Sequence, residues 1–220
     1  MKRHSSWVAL VFVVAILVLC LLACGGCVLL GDALQETPPE RDFETDELFI
    51  DTSAFPPGWS ADPAGPREHT GQAPLGGGTM SIQRRVLTFT PGGGRGGAYE
   101  KIYRMASIVV ATREFERQIE IWFPTRGHWS SWERPARVTY ESSSADRFRV
   151  ACAYDTARSD LAQKCHFIGQ YEEYLVWFST DMSPDYMTYE DLERILQAID
   201  EQIARYLGKE TEQSAVTNQE

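Results

Sequence analysis

The sequence predicts an α+β domain: a single antiparallel β-sheet packed by two helices, preceded by an N-terminal transmembrane helix or lipoprotein signal. Three observations support this class. Two strand-like segments form a hairpin, further strand-like segments follow a first helix, and a long amphipathic helix ends the pattern. That order of elements is typical of α+β domains, in which helices cover one antiparallel sheet.

The first element is an uncharged apolar run at residues 7–30. At a rise of about 1.5 Å per residue it reaches roughly 36 Å, which is enough to cross a hydrocarbon core of about 30 Å. Lys2 and Arg3 precede the run, and all acidic residues follow it. The positive-inside rule therefore predicts a cytoplasmic tail at residues 1–6, one transmembrane helix at residues 7–30, and an extracytoplasmic remainder.

A bacterial lipoprotein signal is the alternative for the same run. Residues 21–24, with the sequence LLAC, resemble a lipobox, and processing there would leave Cys24 as the lipidated first residue. We favour a retained span because Leu22 is bulky for a lipobox and because the chain stays apolar after Cys24. A redox or zinc pair of Cys24 and Cys27 is disfavoured, since such pairs lie at helix starts or beside further ligands in folded domains. Both anchored forms place the domain in the cell envelope.

The remainder divides into three parts. Residues 31–47 form an acidic linker, the domain spans residues 48–208, and residues 209–220 are a polar tail that we expect to be disordered. Residues 81–89 and 98–106 are rich in β-branched and aromatic side chains, which predicts two strands. The glycine-rich connection between them favours a hairpin tip over a phosphate-binding loop, because the segment after the glycines resembles a strand and not a helix.

Two helices follow from capping residues and helical spacing. The first is predicted to begin at Thr112, which can cap it, and to end at Pro124. The second begins with Thr188 and Asp191 in a capping-box arrangement and ends at Gly208. The first stripe includes Phe115, Ile119 and Trp122, and the second includes Leu192, Ile195, Leu196, Ile199, Ile203, Tyr206 and Leu207.

Between the helices, strands are predicted within residues 136–143, 146–155 and 164–180, the last of which is long enough for two. Cys152 and Cys165 lie in these segments and are the only cysteines after the apolar run. Facing positions of antiparallel strands can bring two Cα atoms near the roughly 5.5 Å that a disulfide prefers. Because the compartment would be oxidising, we predict a structural disulfide that contributes about 3 kcal/mol in the chain-entropy model.

Composition and motifs exclude several function classes. The formal net charge of −10 disfavours nucleic acid as a partner, because nucleic acid is a polyanion. The sequence has no GxSxG or SxxK nucleophile motif and no histidine pair at metal-ligand spacing. We therefore expect no enzyme activity, no cofactor and no bound metal.

The function predicted from these exclusions is a binding, accessory or structural role in the cell envelope, with an envelope protein or a small ligand as the partner. Two alternatives stay open. One is an anchored hydrolase, since its catalytic carboxylates can be dispersed in sequence. The other is an extracytoplasmic sensor domain that acts through a partner.

One stretch, residues 122–134, is the candidate binding surface. Rigid aromatic side chains beside arginine are typical of interfaces and of sugar-binding platforms. The alternative is a connection that packs under its own aromatic side chains. The candidate residues are Trp122, Arg126, His128, Trp129, Trp132 and Arg134.

Overall fold

The computed structural model describes residues 38–68, 78–90, 96–157 and 162–209. The predicted cytoplasmic tail, the apolar run with Cys24, and the C-terminal tail beyond Lys209 lie outside these ranges. Within the ranges, no helix is long and apolar enough to cross a membrane.

The described residues form one antiparallel sheet of seven strands. The order across the sheet is β1-β3-β4-β7-β6-β5, and β2 also pairs with the outer edge of β3. The predicted β3–β4 hairpin is confirmed, whereas β1 and β2 are too short to show a pattern in the sequence. The strands are β1 (Trp59–Ala61), β2 (Arg67–Glu68), β3 (Thr79–Phe89), β4 (Gly96–Met105), β5 (Arg147–Tyr154), β6 (Gln163–Tyr171) and β7 (Tyr174–Met182).

Two α-helices cover opposite faces of this sheet. They are α1 (Ile108–Trp122) and α2 (Tyr189–Tyr206), and two 3-10 helices precede β1 at Thr45–Leu48 and Thr52–Ala54. Successive side chains of a strand point to opposite faces, so β7 contributes to both cores. Val176 and Phe178 pack on the α2 face, while Leu175 and Trp177 pack on the α1 face. The predicted class, α+β with one antiparallel sheet and two helices, is confirmed.

Helix α1 begins before its predicted capping residue, so the prediction of Thr112 as the N-cap is wrong. Ser107 is the N-cap, and its hydroxyl accepts a hydrogen bond from the Val110 N–H at 3.2 Å. The residues that follow Ser107 include β-branched side chains, which have modest helix propensity. The sequence pattern therefore did not indicate this first turn of the helix. Thr112 instead accepts a hydrogen bond from the Gln170 side chain at 2.9 Å, which ties α1 to β6.

Residues 136–143 do not form a strand, contrary to the prediction. Val138 is buried and Tyr140 is half-buried, and both contribute to the core on the α2 face. The outer edge of β5 is met instead by isolated bridges, from Trp129 to Asp155 and from Glu133 to Cys152. The alternation in residues 136–143 therefore reflects burial against the α2 face and not pairing in the sheet.

Helix α2 has the predicted capping box. The Asp191 N–H donates to the Thr188 hydroxyl at 3.2 Å, and the Thr188 N–H donates to the Asp191 carboxylate at 3.0 Å. Gly208 follows the helix with φ at 67°, a left-handed conformation that glycine adopts readily. The buried stripe includes Leu192, Ile195, Leu196, Ile199 and Ile203, as predicted.

The chain enters the domain through residues 38–44, which we name the N-terminal strap. The Arg41 guanidinium donates to the buried Glu173 carboxylate from Nε at 2.9 Å and from Nη2 at 2.8 Å. These hydrogen bonds with Glu173 raise the pKa of Arg41, so it stays charged. The Phe43 ring lies 5.0 Å from that of Tyr206 at the end of α2. The domain thus includes residues that the sequence alone assigns to the linker.

Candidate binding site

Residues 123–146 connect α1 to β5 and cross the outer edge of β5 on the way. The Ser130 N–H donates to the Tyr154 C=O at 2.9 Å, and Glu133 exchanges two backbone hydrogen bonds with Cys152. The connection thereby passes from the α1 face to the α2 face of the sheet. It also covers backbone groups that an open edge strand would offer to other chains.

Two of the predicted tryptophans pack on the α1 face. Trp122 stacks on Trp177 with ring centroids 4.2 Å apart, and Trp132 stacks on His166 at 4.3 Å. Trp129 lies beside Trp132 at 5.4 Å. Aromatic pairs at such separations contribute about 0.5–1.5 kcal/mol beyond their burial. Trp122 and Trp132 therefore pack within the domain, as the alternative interpretation of this stretch predicts.

The charged members of the predicted surface are separated from one another. Arg126 and His128 are exposed, and His128 Nε2 lies 4.0 Å from the Asp155 carboxylate. Arg134 binds within its own loop, where Nε donates to a backbone C=O at 3.0 Å and Nη1 donates to Glu141 at 2.8 Å. The His128 ring lies 5.0 Å from that of Trp129, which links it to the Trp129–Trp132 pair.

His166 is a buried residue of the α1 face. Its Nδ1 lies 2.7 Å from the Trp122 C=O and must be the donor, because a carbonyl only accepts. Burial lowers the pKa of His166 to about 4, so the ring is neutral at neutral pH. Cys165 packs on the opposite face, as adjacent strand positions require. In the described ranges, no three His, Cys, Asp or Glu side chains are grouped so that they could hold a metal ion.

Sequence reasoning missed Lys101, which lies over two of these aromatic rings. Its Nζ is 5.1 Å from the ring centroids of both Trp122 and Trp177. Desolvation lowers the pKa of Lys101. Lys101 alternates with buried residues along β4. From the sequence alone, this pattern predicts a solvent-exposed side chain at position 101. The cation–π contacts fasten the end of α1 to the sheet.

Two adjoining cavities open where β5 and β6 approach the start of α2. The first has a volume of about 530 Å³ and lies between the end of β7 and the first turn of α2. The second, of about 610 Å³, lies between residues 130–136 and the β5–β6 pair. Both are lined by Tyr154, Gln163 and Tyr189. We name the two cavities together the β5–α2 cleft.

The cleft combines aromatic and polar side chains. Tyr154 is exposed, and the Tyr189 hydroxyl donates to the Gln163 side-chain oxygen at 2.8 Å, which fixes both groups. Arg137 and Glu190 add one charge of each sign to the first cavity. This composition suits a ligand that has both an apolar face and hydrogen-bonding groups. No local pattern in the sequence indicates the cleft, because its shared residues come from three separate elements.

The acidic residues of the cleft are divided between its two parts. Glu190 lines the first cavity and Glu133 the second. Among the described residues that line the cleft there is no histidine. The described lining therefore places neither two carboxylates across one cavity nor a histidine beside a serine, which are the arrangements that hydrolysis commonly uses.

The predicted disulfide lies at the floor of the cleft. Cys152 and Cys165 are directly paired across β5 and β6, with Cα atoms 4.0 Å apart and their sulfurs bonded. Both backbone groups of Cys152 bond to Glu133, so the cysteines form a non-hydrogen-bonded pair. Side chains approach most closely at such pairs. The bond holds together the two strands that carry Tyr154 and Gln163.

Comparison with known proteins identifies a shared fold. No family model and no curated protein matches the chain. The extracellular domain of PknH from Mycobacterium tuberculosis is similar in structure, with a TM-score of 0.56 and 9% sequence identity over 77% of this chain and 98% of that chain. The uncharacterized Rv0999 ortholog from Mycobacterium smegmatis aligns at 11% identity over 72% of this chain and 98% of that chain, but its TM-score of 0.36 supports no argument. The first likeness establishes the fold alone.

Proposed function

We propose that the chain is a membrane-anchored extracytoplasmic domain that binds a ligand or partner in the β5–α2 cleft. The observation that carries the proposal is the cleft itself, in which two cavities share Tyr154, Gln163 and Tyr189. Ligand sites are typically concave, with apolar walls and a few fixed polar groups. The cleft has this composition, and the Cys152–Cys165 disulfide supports its floor.

The extracytoplasmic location is supported by three observations. The uncharged run at residues 7–30 predicts an anchor. The bond between Cys152 and Cys165 is of a kind that persists in oxidising compartments. The fold is also similar to that of a domain named as extracellular in PknH.

Binding without catalysis is supported by the chemistry of the described residues. The cleft carboxylates Glu133 and Glu190 line different cavities of the cleft. His166 is neutral, buried among aromatic rings and outside the cleft lining. An envelope hydrolase with dispersed carboxylates stays the alternative prediction.

The cleft and the N-terminal strap lie at opposite ends of the sheet. Strand β6 begins at Gln163 in the cleft and ends at Tyr171 beside the Arg41–Glu173 pair. Its nine residues span about 30 Å. We name the two regions the cleft end and the tether end.

Site-specific photocrosslinking tests the cleft. Benzoylphenylalanine in place of Tyr154, in the full chain in its own membrane, should give a discrete adduct that mass spectrometry identifies. The same group at Ile121, which is exposed on α1 outside the cleft, should give none. A further Gln163→Ala substitution should remove the adduct at Tyr154. A folded chain that crosslinks to nothing at Tyr154, or equally at both positions, argues against the cleft as the binding site.

Mass spectrometry of the mature N-terminus tests the anchor. A peptide that retains the residues near Met1 indicates a transmembrane span. A diacylglyceryl group on Cys24 as the first residue indicates a lipoprotein. A mature chain that lacks both the apolar run and the lipid overturns the anchored form of the proposal.

A further inference from the structure

Three exposed apolar side chains lie at the tether end of the sheet. Met80 is 56% exposed, Ile108 is 39% exposed and Val109 is 64% exposed. Met80 lies at the irregular step of β3 between Thr79 and Ser81, while the other two open helix α1. The Ala106 N–H donates to the Gly78 C=O, which joins the segments before them. Single exposed apolar residues are ordinary, but three at one end of the sheet form a patch.

The N-terminal strap reaches the domain at the same end. The Arg104 guanidinium, near the end of β4, donates to the Pro39 C=O at 2.9 Å. The Thr45 and Ser81 hydroxyls lie 2.8 Å apart, which places the chain after the strap against the start of β3. The patch and the point of chain entry therefore lie at the same end of the sheet.

The chain between the predicted span and the domain is short. If the span ends at residue 30, residues 31–37 bridge at most about 24 Å when fully extended. If Cys24 carries lipid instead, residues 25–37 bridge at most about 45 Å. Either length is an upper limit for the distance between the predicted anchor and Pro38, the first described residue.

We propose that the patch of Met80, Ile108 and Val109 is a membrane-contact surface that inserts into the headgroup region of the anchoring bilayer. The proposal rests on the anchor of the proposed function. Arg113 lies one helical turn from Val109 and is largely exposed, so it can reach lipid phosphates while the apolar side chains insert. An apolar face beside a basic side chain is typical of helices that lie on membranes.

The charges of the strap indicate the type of contact. Glu40 and Asp42 are exposed on the strap, and the whole chain is acidic. Acidic side chains beside the patch oppose attraction to anionic lipids. The contact therefore depends on apolar insertion and not on anionic headgroups. With the patch inserted, the β5–α2 cleft faces away from the bilayer.

Photocrosslinking to lipid tests the patch in the full chain. Benzoylphenylalanine in place of Val109 should form phospholipid adducts, identified by mass spectrometry, that are severalfold more abundant than those at Ile121. Ile121 is the matched control because it is also apolar, 43% exposed and on α1, about 18 Å along the helix from Val109. Met80 provides a second probe position if the Val109 variant does not accumulate.

Each result has a distinct meaning. Lipid adducts at Val109 or Met80 but not at Ile121 support the proposal. A crosslinked dimer, an adduct to another protein, or equal lipid labelling at the probe and control positions overturns it. Carbonate extraction of the same membranes separates the two hypotheses. A chain that the extraction removes from the membrane contradicts the anchor. A chain that stays in the membrane but forms no lipid adducts contradicts only the contact surface.

Discussion

Buried charges are paired within the protein at the tether end, whereas polar side chains face an open cavity at the cleft end. Glu173 is fully buried and accepts two hydrogen bonds from Arg41, and Arg104 lies 3.6 Å from its carboxylate. At the cleft end, Arg137 makes no hydrogen bond or ion pair within the described residues, and Tyr154 is exposed. Because buried polar groups require partners, the tether end is organised for stability. At the cleft end, polar groups such as Arg137 have no such partner within the described residues.

The largest expected effect comes from breaking the tether end. Glu173→Gln removes the buried charge that Arg41 and Arg104 face, and loss of one partner of a buried pair costs about 3 kcal/mol. Urea unfolding should show this loss in the free energy of unfolding. The matched control is Glu116→Gln, which breaks an exposed pair with Arg147 and should cost under about 1 kcal/mol. Equal, small losses in both variants would mean that the pair does not hold the tether end.

The disulfide provides the corresponding test at the cleft end. Cys152→Ala with Cys165→Ala should lower the free energy of unfolding by about 3 kcal/mol, since the bond closes a loop between residues 13 apart. Hydrogen exchange should then rise in β5 and β6 near the cleft and stay unchanged around Arg41. Reduction of the unaltered chain should give the same loss, and the double variant should be insensitive to reductant. A rise in hydrogen exchange at both the cleft end and the tether end would contradict the expectation that the two ends are stabilised independently.

The two ends also differ in how far the sequence predicts them. The Thr188–Asp191 capping box and the apolar stripe of α2 are local patterns, and the structure has both. The Arg41–Glu173 pair joins residues 132 apart, and no local pattern signals such a partner. The strap could not be recognised for the same reason: its contacts are with residues distant in sequence, and the acidic segment that contains it resembles a linker.

The cleft also could not be predicted from the sequence. Tyr154, Gln163 and Tyr189 come from β5, β6 and α2, and only the folded chain brings them together. The tryptophan-rich stretch at residues 122–134, which the sequence predicts as a binding surface, contributes Trp122 and Trp132 to packing on the α1 face. Clustering of aromatic residues in sequence therefore indicated a place where the chain crosses the sheet edge, and one of the six predicted residues, Arg134, lines the second cavity of the cleft.

His166 lies on β6 between the two ends and tests whether they respond together. Burial lowers its pKa to about 4, below the ordinary value near 6.5, so the unfolded chain takes up the proton first as the pH falls. The stability that depends on neutral His166 is therefore present above pH 6.5 and is lost as the pH falls from about 6.5 to about 4.

Between pH 7 and pH 5.5 this linkage should lower the free energy of unfolding by about 1 kcal/mol. Urea unfolding at several pH values measures it, and His166→Phe should flatten the profile in that window. His128→Phe, at an exposed position, is the control for substituting a histidine outside the buried aromatic cluster. A slope that survives the His166 substitution would assign the pH dependence to other groups.

The smallest expected effect concerns the cap of α2 at the cleft end. Thr188→Ala removes the hydroxyl that accepts from the Asp191 N–H, and such a loss typically costs about 1 kcal/mol. Thr188→Ser keeps the acceptor and should retain most of the stability, while Thr125→Ala, in an exposed loop, should have little effect. Hydrogen exchange should rise in the first turn of α2 and not at the strap. A loss that spreads to the strap would show that the tether end depends on the cap as well as on its own charge pairs.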